Sequence, residues 1–133
     1  MPITIICVTG PGGTGKTSII REFTRKHLGY ERAKGDVLGI FEMPRLDYAI
    51  GVSGSGDALK FILRGESFLS RYDGLKVVIL ASRSSGETID RVRQIATKTK
   101  AKLHFIETVK LPAQNQVDAI NKNVGKIRRL LPK

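Results

Sequence analysis

Gly10-Pro11-Gly12-Gly13-Thr14-Gly15-Lys16-Thr17 decides how the rest of this 133-residue chain is read. The stretch fills the pattern G-x-x-x-x-G-K-[ST], in which each residue type has a chemical task. Backbone N–H groups curl around a phosphate chain only where bulky Cβ atoms are missing, and Gly10, Gly12, Gly13 and Gly15 meet that need. The Lys16 ammonium has the reach for β- and γ-phosphates, and the Thr17 hydroxyl has the length to ligate Mg²⁺. Pro11, Thr14 and Ser18 complete the set expected to line a bound triphosphate. Thr17 also opens a helix, whose N-terminal partial positive charge favours an anion.

The flanks supply the context that the pattern requires. Ile3-Thr4-Ile5-Ile6-Cys7-Val8-Thr9 is an apolar, β-branched run that reads as a buried strand. Ile19, Ile20, Phe23 and His27 recur at helical spacing, with Arg21, Arg25 and Lys26 turned outward. Strand, glycine-rich loop and helix follow in that order. Over residues 3–28 the chain resembles the P-loop nucleoside-triphosphatase superfamily, with the loop as its Walker A motif. The resemblance implies a three-layer α/β/α sandwich, a bound nucleoside triphosphate and Mg²⁺. Lys16→Ala is then expected to remove ATP binding and leave the fold nearly unchanged.

Beyond the first helix, residues 29–35 read as a polar connection. Val37 to Met43 is a second apolar strand stopped by Pro44, and Tyr48 to Val52 a third, at an edge or in a hairpin with the second. Apolar residues from Ala58 to Tyr72 fall at helical intervals, predicting a helix over 57–72 with Asp57 as N-cap. Lys76 to Ala81 is apolar on both faces, as a central parallel strand is. Ile89, Val92, Ile95 and Ala96 mark a further helix, Leu103 to Thr108 a further strand, and Pro112 precedes a last helix. Alternating strands and helices predict one domain over 1–133, with a mainly parallel sheet of about five strands.

The single cysteine, Cys7, excludes an internal disulfide and suits a reducing, cytoplasmic setting, and no apolar run reaches membrane-spanning length. A net charge of +11 exceeds what one nucleotide site needs and points to a polyanionic partner, nucleic acid first. An acidic protein or a membrane surface is the second reading of the same excess, and a protein partner or homo-oligomer is open as well.

In open α/β sheets the ligand lies beyond the carboxyl ends of the strands. P-loop enzymes usually place a metal-linked acid at such a strand end. The run Val77 to Leu80 ends instead in Ala81-Ser82. Two acids offer themselves as catalytic and metal-linked substitutes: Glu42, otherwise an ordinary strand-end acid, and Asp57, otherwise a helix cap. Arg83 follows the central strand, where it either stabilises transferred charge or is a solvated loop residue. His27 and His104 have no ligand partners at metal spacing and read as structural. The guanine-reading N-K-x-D pattern is missing, since Asn121-Lys122-Asn123-Val124 lacks the acid, so ATP is expected ahead of GTP.

In the last helix Val117, Ile120, Val124, Ile127 and Leu131 form one apolar stripe expected to pack on the sheet. Lys122, Lys126, Arg129 and Lys133 lie opposite, either as a nucleic-acid-phosphate contact or as a solvated face near the helix C-terminus. The function expected from these features is a small Mg²⁺-dependent ATPase or ATP switch acting with nucleic acid or a larger assembly. The alternatives are a small nucleoside- or nucleotide-kinase-type phosphotransferase and a non-catalytic nucleotide-binding module.

Overall fold

In the computed structural model, which describes residues 3–12, 14–43 and 47–132, the strand-forming runs assemble into one sheet. They are β1 (Thr4–Thr9), β2 (Leu38–Met43), β3 (Tyr48–Ser53), β4 (Leu75–Ser82) and β5 (Lys102–Glu107). Their order is β2-β3-β4-β1-β5, with β3, β4, β1 and β5 parallel and β2 antiparallel to β3. β3 is therefore an inner strand, and β2 takes the edge. The pairing aligns Thr9 with both Ser82 and Glu107, so the carboxyl ends of β1, β4 and β5 finish at one edge.

Alternation along the strands divides the core between two faces. Ile6, Val8, Ile50, Val52, Val77, Ile79 and Ala81 face α1 (Lys16–Phe23) and α4 (Ala113–Leu130), meeting Ile19, Ile20, Phe23, Val124 and Ile127. Ile5, Cys7 and Leu80 face α2 (Leu59–Leu69) and α3 (Glu87–Thr99), meeting Ile62, Leu69, Val92 and Ala96. Phe23 and Ile127 are fully buried; such side chains contribute about 1.5–3 kcal/mol each. Beyond Phe23 the first helix widens into a π-helical turn, Thr24–Leu28, closed by Gly29 in the left-handed conformation. No helix among the described residues is long and apolar enough to cross a membrane.

Two sequence expectations need correction. The second helix begins at Leu59, with Ala58 as N-cap and no side-chain cap hydrogen bond, so Asp57 does not cap it. The apolar stripe of α4 starts at Ile120, because Val117, near the start of the helix, is 67% exposed.

Close approaches tie the connecting loops to the sheet. A Cβ on Gly56 would stand 2.0 Å from the Ala81 carbonyl oxygen and 2.7 Å from the Ser82 nitrogen. Only a glycine lets the β3–α2 loop lie against β4 at that distance. One on Gly65 would meet the Ser53 Oγ at 2.1 Å, so α2 is similarly drawn onto the end of β3.

Candidate functional site

Neighbouring strands β1 and β4 send their chains to opposite faces, β1 into α1 and β4 into α3. That divergence opens a crevice beyond their carboxyl ends, the usual ligand position in such sheets. The glycine-rich loop crosses this crevice. Gly10 N–H donates to Ser82 O at 3.2 Å, and Gly15 takes φ 87°, a left-handed conformation that a side chain would strain. The first helical hydrogen bond runs from Ile19 N–H to Gly15 O at 2.9 Å. The amides of Lys16, Thr17 and Ser18 precede it and so have no carbonyl of the helix to bond. Gly13 lies outside the described residues.

Lys16 is only 6% exposed, and its ammonium is fully engaged. It donates to Gly10 O at 2.8 Å, to Ser82 O at 3.2 Å and to Asp57 Oδ1 at 2.7 Å. Asp57 itself is 57% exposed, so solvent screens the pair on one side. Arg83 reaches the same loop, its Nε donating to Asp57 O at 3.0 Å. The structure thus brings Lys16, Asp57 and Arg83 together at the carboxyl edge.

Glu42 is not among them. Because β2 runs antiparallel, Glu42 pairs with Ala49 at the start of β3, and the opposite end, Leu38, pairs with Ser53 beside the loop. Glu42 therefore sits at the far edge of the sheet, and its assignment as a metal-linked acid is withdrawn. The signal was present in the sequence: four residues between Met43 and Tyr48 cannot house a parallel crossover.

The acid found near Thr17 is Asp36, from the loop before β2, which sequence reasoning missed. Thr17 Oγ1 donates to Asp36 Oδ1 at 2.8 Å, and Ser55 Oγ donates to Asp36 Oδ2 at 2.6 Å. Thr108, beyond β5, was missed as a support. Its hydroxyl donates to Thr9 O at 2.8 Å and shares a hydrogen bond with the Thr14 hydroxyl at 2.6 Å, bracing the glycine-rich loop from the β5 side.

A cavity of about 510 Å³ opens from Thr14 to Ser18 past Asp57 and Thr108 toward α4. Its outer wall carries Val109, Leu111, Ile120 and the side chains of Lys122, Asn123 and Lys126. Two of the four cations expected on the outer face of α4 therefore border the cavity. Arg129 is exposed farther along the helix, and Lys133 lies outside the described residues. Among the described residues no three His, Cys, Asp or Glu side chains converge as a metal cluster; His27 packs against Phe23, with ring centroids 5.3 Å apart. No protein-family model matches the chain, and no curated protein or solved structure is significantly similar to it.

Cys7 lies beneath this edge on the α2–α3 face, its thiol donating to Ser82 Oγ at 3.4 Å. Burial pushes its pKa up to about 11. At pH 8 about one thiol in a thousand is ionised, so a disulfide reagent should leave the native protein unmodified and titrate one thiol after denaturation. Rapid reaction of the folded protein would contradict this placement.

Proposed function

We propose that the chain is a small Mg²⁺-dependent nucleotide-binding protein of the P-loop type, with ATP as ligand and hydrolysis as its reaction. The observation that carries the reading is the buried ammonium of Lys16 at the β1–β4 crevice, bonded to two carbonyls and one carboxylate. A lysine held there gains a stronger partner when a phosphate oxygen enters, because charge-assisted bonds to phosphate exceed bonds to neutral carbonyls. The free amides at the start of α1 add hydrogen-bond donors and a favourable dipole for the same anion.

The donors near the loop suit Mg²⁺. Thr17 supplies a hydroxyl and the surrounding acids carboxylates, all hard oxygens of the kind this ion prefers. Mg²⁺, when bound, would neutralise charge developing on the phosphates. Lys16 would hold the β- and γ-phosphates, and Arg83, bonded to the Asp57 carbonyl, would oppose charge on a transferred group. The excess of cations, with Lys122 and Lys126 at the mouth and Arg129 beyond, supports a nucleic-acid or other polyanionic partner.

The test is phosphate release from ATP and Mg²⁺, alone and with DNA, RNA or a panel of nucleosides. A hydrolase acting with nucleic acid releases phosphate faster when DNA or RNA is added. ATP consumed only when a nucleoside is present assigns phosphotransfer instead. Binding with no turnover under any condition leaves a nucleotide-binding module, and no binding of ATP removes the proposal.

A further inference from the structure

We propose that Asp36, held between Thr17 and Ser55, is the acid that secures the divalent cation, in place of an acid at the end of the central strand. The inference rests on the nucleotide-binding reading above and names a residue which that reading left open.

The geometry follows from hydrogen-bond valence. A threonine hydroxyl has one proton and two lone pairs. Thr17 spends its proton on Asp36 Oδ1 at 2.8 Å, so its lone pairs are left for a cation on the side where Thr17 lines the cavity. Asp36 Oδ2 is fixed by the Ser55 hydroxyl at 2.6 Å. Each carboxylate oxygen keeps a further acceptor site, suited to a cation or to the water it carries. Asp36 thus offers the cation a carboxylate oxygen of its own and adds negative charge beside the Thr17 oxygen.

The competing acid is Asp57, and the structure separates the two. Asp57 is ion-paired to Lys16 at 2.7 Å, so its charge is already offset by the ammonium that would serve the phosphates. Among the described residues Asp36 has no salt bridge to a lysine or arginine. An uncompensated carboxylate beside a hydroxyl that faces a cavity is the better cation partner. Its position has a topological cause: β2 runs antiparallel, so the residues just before it, and not those after it, arrive at the loop edge.

The experiment measures Mn²⁺ binding by electron paramagnetic resonance in the presence of a non-hydrolysable ATP analogue, beside analogue binding in EDTA. Asp36→Asn should bind the analogue in EDTA as wild type does, yet lose Mn²⁺ affinity by about tenfold to a hundredfold. Asp57→Asn should retain Mn²⁺ affinity. Asp36→Cys, which offers a softer thiolate, should shift preference from Mn²⁺ toward Cd²⁺, a change that a merely structural acid would not produce. Ser55→Ala removes one tether and keeps the charge, so most Mn²⁺ affinity should remain.

Unchanged Mn²⁺ affinity in Asp36→Asn, or its loss in Asp57→Asn instead, overturns the assignment while leaving nucleotide binding standing. If Asp36→Asn loses its circular dichroism spectrum, the Cd²⁺ preference of Asp36→Cys and the retention in Ser55→Ala decide. No Cd²⁺ shift, or a loss in Ser55→Ala as large as in the Asp36 variants, overturns it. Wild-type protein that binds no analogue with or without metal removes the nucleotide reading itself.

Discussion

Lys16→Met should lower ATP affinity by about a hundredfold, the equivalent of about 3 kcal/mol for a charge-assisted phosphate contact. Methionine keeps the length and apolar stem of the side chain and removes only the ammonium. The ligand-free protein should also lose stability, contrary to the expectation from sequence that the fold would be unaffected. Lys16 is buried, and its loss strands the carbonyl of Gly10 in the crevice floor, while Ser82 O keeps only the Gly10 N–H. Unmet buried acceptors cost about 1–3 kcal/mol, which lowers the melting temperature by several degrees. Thermal scans with and without ATP read both effects at once. Wild-type Tm should rise with ATP by mass action, and the variant's should rise far less at the same ATP concentration. An equal rise in the two proteins would remove Lys16 from the site.

Gly56→Ala should be the most destabilising single-methyl change in the site region. Its added carbon would lie 2.0 Å from the Ala81 carbonyl oxygen and 2.2 Å from the carbonyl carbon, both backbone atoms of a central strand. Neither gives way cheaply, so the β3–α2 loop must lift. About 3 kcal/mol is expected, or a fall in Tm on the order of 10 °C. Lifting the loop also carries Asp57 from Lys16 and slackens the Arg83 contact, so turnover should fall along with stability. Gly12→Ala is the control, since a Cβ there meets nothing within 4 Å. A Gly56→Ala protein as stable as the Gly12 variant would contradict the close packing of this loop.

The elements were legible because their residues repeat with the period of the structure they form. Val77 to Ala81 is apolar on both faces, and it lies between two parallel neighbours as that pattern requires. The glycine-rich loop was legible for a different reason, since its glycines and lysine are chosen by chemistry and not by packing. Asp36 was not. It sits in a connection with no periodicity, and its partners Thr17 and Ser55 are each 19 residues away in opposite directions. Only the direction of β2 brings it to the site, and strand direction is a property of connections more than of strands. Val117 failed for a similar reason: its helical spacing is right, but periodicity does not say where the neighbouring layer stops.

The position of β1 in the sheet bears on how the protein is made. Its two neighbours, β4 and β5, are synthesised much later, with Thr4 pairing to Val77 and to Lys102. At translation rates of about 5–20 residues per second, this apolar, β-branched strand waits on the order of 10 s for its second partner. During that interval Thr4–Thr9 is an unpaired strand of the kind that chaperones cover and that aggregates when they do not. Slowing elongation within the segment from α3 to β5 would lengthen the exposure and lower soluble yield. An inner strand of the finished sheet is thus a vulnerable segment of the nascent chain.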